Sequence, residues 1–127
     1  MKLIVTGSGG AVSTPRPCCN CRVCREARQK GIPYARTGCS LYISDAKIPI
    51  DTPEDIGSAL NYMDIDEIRY ICYSHTHPDH IMGIRLIEQL RMDWLGNSEG
   101  IKSKEPVYIL GLPRVIQGLC ELRIDRG

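Results

Sequence analysis

The chain has 127 residues, 43% of them apolar, and its 16 basic side chains nearly balance 15 acidic ones for a formal charge of +1. That length suits one domain with a buried core, and the charge lacks the basic footprint of a nucleic-acid binder, so nucleic acid is not expected as a partner. No apolar run approaches the roughly 20 residues of a membrane helix, so no membrane is expected either.

In chain order, Met1-Lys2-Leu3-Ile4-Val5 is basic then apolar, but Gly7-Ser8-Gly9-Gly10 ends the run too early for a secretory signal. Leu3 to Thr6 therefore reads as a buried strand, and a cytoplasmic protein is expected. Residues 13 to 24 form a loop rich in Pro and Cys, and Glu26 to Lys30 a short helical turn ended by Gly31 and Pro33. Ser40 to Ser44 alternates as a strand. Ile48 to Asp51 is a second one, broken by Pro49. Thr52-Pro53-Glu54-Asp55 then opens a helix, with Thr52 as N-cap and Pro53 at the first position. Ile56, Leu60 and Met63 give that helix its apolar face.

Ile68 to Tyr73 is an apolar run of strand length. Ile81 to Leu95, with Ile84, Ile87, Leu90 and Met92 between, predicts one long amphipathic helix. Asn97 to Glu105 is polar loop, Val107 to Leu110 a strand, and Pro113 opens a last helix through Leu122. Strands alternate with helices, which predicts an α/β fold (α+β in some schemes).

All three histidines fall in Ser74-His75-Thr76-His77-Pro78-Asp79-His80, just after a predicted strand and before a predicted helix. In a loop leaving a strand, residues two apart can turn to one side, so His75 and His77 can grip one ion. Asp79 and His80, past the bend at Pro78, can grip a second. Imidazole and carboxylate ligands suit zinc, manganese or iron. Two ions about 3.5–4 Å apart clamp a phosphoester from both ends, and Asp79 is a candidate catalytic proton acceptor as well as a ligand.

Seven cysteines is many for this length, the number is odd, and four lie between Cys18 and Cys24. Clustered thiols without a signal peptide point to metal binding in preference to a disulfide framework. Cys19, Cys21 and Cys24 have the Cys-x-Cys-x-x-Cys spacing that wraps one tetrahedral structural zinc, given a fourth ligand. Cys18 and Cys39 are the nearby thiols for that position; the alternative is free thiols in a flexible loop. Cys72 and Cys120 lie in apolar segments and read as core residues.

The histidine loop resembles the signature of the metallo-β-lactamase superfamily. Gly7-Ser8-Gly9-Gly10-Ala11 with Cys19, Cys21 and Cys24 resembles a branch that includes the phosphoribosyl cyclic phosphate phosphodiesterase and coenzyme PQQ synthesis protein B. The resemblance implies two divalent ions, zinc or manganese, at His75, His77, Asp79 and His80. It implies a structural zinc at the three cysteines whose fourth ligand is a distant histidine. It also implies an aspartate that braces the histidine loop from behind. Asp51 matches that aspartate in position; its alternative role is to cap the following helix.

The superfamily domain is an αβ/βα sandwich about twice this length, whose later motifs add a third histidine for each ion and a bridging aspartate. No histidine follows His80 here, so residues 1–127 read as the N-terminal half of one such domain. One sheet face would then need a partner, either the missing half or a second copy. The end at Ile124-Asp125-Arg126-Gly127 favours a piece of a longer protein, with little activity of its own. The resemblance implies a metal-dependent phosphodiesterase acting on a small cyclic phosphate. The alternatives are another hydrolase on the same fold (nuclease or thioesterase) and a non-catalytic, zinc-stabilised binding module.

Overall fold

A computed structural model describes residues 1–93, 102–103 and 105–122. Its elements in chain order are β1 (Leu3–Gly7), α1 (Arg22–Lys30), β2 (Ser40–Ile43), β3 (Ile48–Ile50), α2 (Ile56–Tyr62), β4 (Tyr70–Cys72), α3 (Pro78–Ile81), α4 (Leu86–Arg91), β5 (Met92–Asp93), β6 (Lys102–Ser103), β7 (Tyr108–Leu110) and α5 (Pro113–Glu121). The fold is mixed α/β, as the alternation of patterns predicts.

Five strands form one sheet in the order β1-β2-β3-β4-β7. The pairs β1/β2 and β2/β3 are antiparallel, while β3/β4 and β4/β7 are parallel. It follows that β1, β3, β4 and β7 all run the same way and release their following loops at one edge. In parallel sheets that edge is where functional loops collect. The glycine-rich loop, Asp51 and the histidine loop all leave the sheet there.

Side chains alternate across the strands. On one face Ile71 is fully buried under a cluster of Ile56 and Leu60 from α2, Ile81 from α3, Leu86 from α4, and Val115 and Leu119 from α5, joined by Tyr73 and Ile84. Each such side chain contributes about 1.5–3 kcal/mol on burial. The opposite face carries Leu3 and Val5, both more than half exposed, and Tyr70, Tyr108 and Leu110 at its far side. The register places Tyr70 beside Tyr108 and Cys72 beside Leu110, so this apolar face continues across neighbouring strands. Among the described residues no helix is long and apolar enough to cross a membrane.

Several local expectations give way to tertiary contacts. The helix expected only at Glu26 begins at Arg22, because the Cys21 sulfur accepts the Cys24 amide at 3.4 Å and caps it. Pro49 does not break β3: it lies within the strand, opposite Tyr42. Thr52 does not cap α2. It is fully buried, its hydroxyl is 2.8 Å from the Tyr73 hydroxyl, and the N-cap position falls to Asp55. The Asp55 carboxylate instead holds the Gly38 amide and the Ser13 hydroxyl. Cys120 is exposed and Cys72 only partly buried, so neither is a deep core residue.

The long helix expected from Ile81 to Leu95 is two short ones, α3 and α4. The break lies at Gly83, whose amide donates to the Thr52 carbonyl at 2.8 Å. A Cβ there would sit 2.1 Å from the Pro53 carbonyl oxygen and 2.8 Å from that of Thr52, both backbone atoms. The chain thus trades a continuous helix for a direct seam between α3 and the end of β3. Leu95 and most of the predicted 97–105 loop lie outside the described residues, but Lys102–Ser103 pairs with Met92–Asp93 as a small antiparallel ribbon.

Gly83→Ala is expected to cost about 1–3 kcal/mol, since neither carbonyl can yield without moving the seam. Gly57→Ala, where an added Cβ meets nothing within 4 Å, is expected to hold or raise stability by up to about 1 kcal/mol, because alanine suits a helix better. Urea melts of the two variants check this. Equal midpoints would mean the seam at Gly83 is not tight.

Candidate metal centre

The histidine loop starts where β4 ends and runs into α3. Two bonds from Thr52 fix it against β3: the Thr52 amide donates to the His80 carbonyl at 2.8 Å, and its carbonyl accepts the Gly83 amide at 2.8 Å. The His80 amide also donates to the His77 carbonyl at 2.9 Å. Tyr73 supports this seam from the core. Burial pushes its phenol up to about 12, so it stays protonated beside Thr52. In sequence Tyr73 is only the end of an apolar run; a hydroxyl placed in a core cluster is the signal for a partner.

Three imidazoles converge at the loop. The His75 ring centroid is 4.6 Å from that of His77 and 4.0 Å from that of His80. Atoms of Asp51, His75 and His80 that can bind a metal lie within 4.8 Å of one another. The grouping therefore includes Asp51, a residue expected behind the ligands, and not His77 or Asp79. His77 is exposed at the N-cap of α3 and Asp79 is partly buried in its first turn.

The donors around Asp51 decide how to read that grouping. Its Oδ1 accepts the Ser74 amide at 2.8 Å; its Oδ2 accepts the Ser74 hydroxyl at 2.6 Å and faces His80 Nδ1 at 2.8 Å. Asp51 is 6% exposed. Both carboxylate oxygens are thus occupied by protein donors, the arrangement that orients ligands from outside a metal's own shell. The backbone of Asp51 is left-handed, with φ 63°, a conformation Asp tolerates better than most residues. Its amide donates to the Cys72 carbonyl at 2.8 Å, which ties β3 to β4 just below the histidines.

With Nδ1 of His80 turned to Asp51, its Nε2 lies 3.3 Å from Asp79 Oδ2. A neutral imidazole that donates through Nδ1 presents a lone pair at Nε2. Lone pair and carboxylate then face each other and call for positive charge, either a proton or a metal cation. That chemistry fits a divalent ion.

The second cluster forms where the cysteine loop enters α1. Sulfur atoms of Cys19, Cys21 and Cys24 lie within 4.8 Å of one another. Cys18, with φ 58°, and Cys39 are exposed and outside this group, and no fourth ligand joins it among the described residues. The Arg16 amide donates to Cys24 Sγ at 3.4 Å, and its guanidinium approaches Cys19 Sγ at 3.6 Å. The Cys21 amide, then the Cys21 and Cys24 thiols and Arg16, bring the Cys19 thiol down to about 6. At Cys24 the Arg16 amide pulls downward, but burial and the neighbouring thiols outweigh it and raise the value. One thiol ready to ionise among three that converge suits a soft, thiophilic cation such as zinc.

Gly7 is needed because a Cβ would fall 1.8 Å from the Gly38 carbonyl, so it serves close backbone packing. A groove between α2 and α4, floored by Leu60, Ile65, Ile68, Leu86 and Leu90, contains none of the histidines. The imidazoles sit at the open sheet edge instead.

Residues 37–92 match the family model described as the metallo-beta-lactamase superfamily. An octanoyltransferase of Porphyromonas gingivalis is 34% identical over 87 residues, which make up 66% of this chain and 17% of that protein. A solved structure described as a new diphosphatase from the PhnP family is 30% identical, with a TM-score of 0.55 over 70% of this chain and 34% of its own. Zn(2+)-bound PqqB from Methylobacterium extorquens shares the fold, with a TM-score of 0.69 at 20% identity over 95% of this chain and 40% of its own. The chain thus spans less than half the length of each of these proteins.

Proposed function

We propose, from the match of residues 37–92 to the metallo-beta-lactamase superfamily model, that this chain carries the metal-binding half of a hydrolase that cuts a phosphoester, with a small cyclic phosphodiester as substrate. The observation that carries this reading is the convergence of His75, His77 and His80 at the end of β4 with Asp79 facing His80 Nε2 at 3.3 Å. The likeness to a diphosphatase supports phosphorus–oxygen cleavage over other chemistries of the fold. The 17% of the octanoyltransferase that matches is too small a share to bring acyl transfer to this chain.

In this reading His75 and His77 hold one divalent ion, and Asp79 and His80 hold the other. Bound ions of this kind supply Lewis-acid charge for phosphoryl oxygens and lower the pKa of water. Asp79 offers a carboxylate, a quarter exposed, that can take the proton an attacking water gives up. Asp51 keeps His80 turned so that Nε2 faces outward. Cys19, Cys21 and Cys24 hold a structural zinc at the start of α1, away from catalysis. The apolar sheet face with Leu3, Val5, Tyr108 and Leu110 packs against a second layer, the rest of a longer domain or another copy, which adds the remaining ligands.

Metal analysis and a hydrolysis panel test the proposal together. Zinc is expected at the cysteines and zinc or manganese at the histidine loop, with two ions at that loop when the second layer is present. Hydrolysis is expected for cyclic phosphodiesters ahead of β-lactams, thioesters and RNA. Metal at the cysteines alone, with no hydrolysis of any phosphoester, would make the chain a zinc-stabilised binding module instead.

A further inference from the structure

We propose that Ser74 is a positioning residue whose hydroxyl relays the charge of Asp51 to His75 and so fixes which nitrogen of His75 is free to bind a cation. The use of that nitrogen rests on the metal role proposed above; the relay itself does not.

Counting protons assigns the roles. Ser74 Oγ lies 2.6 Å from Asp51 Oδ2 and 2.9 Å from His75 Nδ1. A hydroxyl has one proton to give, and an ionised carboxylate can only accept. The proton therefore goes to Asp51. The hydroxyl has no freedom to turn away, because the Ser74 amide is bound to the other oxygen of the same carboxylate at 2.8 Å. Ser74 Oγ is left with lone pairs toward His75, so His75 Nδ1 must be the protonated nitrogen and Nε2 the bare one.

His80 is set by the same carboxylate without a relay. Its Nδ1 is 2.8 Å from Asp51 Oδ2, so its proton sits there and Nε2 is bare. One aspartate at the end of β3 thus fixes the tautomers of two histidines, one directly and one through Ser74. The two rings, 4.0 Å apart, are presented through the same nitrogen. His77 makes no bond to Asp51 or Ser74 among those described and serves as an internal control.

The tautomers can be read in the metal-free, nitrogen-15-labelled chain by long-range proton–nitrogen correlation at about pH 8, above the ordinary histidine range. His75 and His80 are both expected as Nδ1–H forms. In Ser74→Ala, His75 shifts toward the Nε2–H form, while His80 is unchanged; Ser74→Thr, which keeps the hydroxyl, retains the original state of both. Zinc competition titrations should show the loop's affinity falling about 10–100-fold in Ser74→Ala, as for other outer partners of metal-binding histidines, and recovering in Ser74→Thr.

An Nε2–H His75 in the unaltered chain would overturn the proposal, and so would a tautomer that ignores Ser74→Ala or an affinity loss that Ser74→Thr does not repair. The tautomers of the unaltered chain decide the matter even if a variant fails to fold. Correct tautomers in a loop that binds no metal would uphold the relay and defeat the proposed hydrolase.

Discussion

His77→Ala is expected to lower kcat/KM of the active protein by about 10³-fold or more, beyond the 10–100-fold that loss of an outer partner costs, while the melting temperature of the metal-free protein barely moves. The two halves of this expectation come from different parts of the geometry. His77 is the N-cap of α3 with an extended backbone, φ −65° and ψ 143°, and its side chain makes no capping bond. The bond that matters to the turn runs from the His80 amide to the His77 carbonyl, which alanine retains. An exposed side chain of this kind changes stability by at most about 0.5 kcal/mol. Its ring, however, lies 4.6 Å from that of His75, the partner proposed for the same ion. Metal analysis should therefore show the histidine loop losing an ion while the cysteine cluster keeps its zinc. A variant that stays active with its metal content intact would remove His77 from the ligand set. Activity lost together with several degrees of stability in the metal-free protein would make it a structural residue.

How much of this was legible in the sequence depends on the range of the forces involved. The chemistry-bearing residues were legible because they are close in sequence: His75, His77, Asp79 and His80 occupy one loop, and Cys19, Cys21 and Cys24 one entry to a helix. Strand positions were legible because alternation and apolar runs reflect local burial. What was not legible rests on contacts between distant segments. Ile81, Ile84 and Ile87 keep helical spacing across a stretch that is not one helix, because the Gly83 amide bonds to the carbonyl of Thr52, distant in sequence and just past the end of β3. Thr52 looks like an N-cap until Tyr73 claims its hydroxyl. Cys21 looks like a ligand only, yet its sulfur also caps α1, a duty that serine or aspartate usually signals.

Asp51 shows the limit most clearly. Position alone left it between capping a helix and bracing a loop. The structure brings it three donors from the residues after β4 and none from α2, whose N-cap position is Asp55. A register one residue out would turn the side chain away from Ser74 and His80, since successive side chains of a strand face opposite ways. The pairing of β3 with β4, with Ile50 beside Cys72, is what sets the Asp51 carboxylate against Ser74 and His80.

The dual duty of Cys21 makes Cys21→Ser a sharper experiment than an alanine change. Serine is a better N-cap than cysteine, and its hydroxyl can accept the Cys24 amide that Cys21 Sγ now accepts at 3.4 Å. The cap is therefore preserved, and any loss of stability belongs to the thiolate and its metal. Structural zinc stabilises only the folded state, so at free zinc about a thousand times its Kd it contributes about 4 kcal/mol. For a chain of this size that corresponds to a fall in melting temperature of about 15 °C. A chelator should lower the unaltered protein by about that much more than it lowers Cys21→Ser, which separates loss of the cysteine zinc from any strain the serine introduces. Cys39→Ser, at an exposed thiol outside the cluster, should melt within about 2 °C of the unaltered protein. If Cys21→Ser melted with Cys39→Ser, and the chelator changed neither, the three converging thiols would be an accident of the folded loop and not a zinc site, and α1 would owe its place to the burial of Cys24 and Ala27 alone.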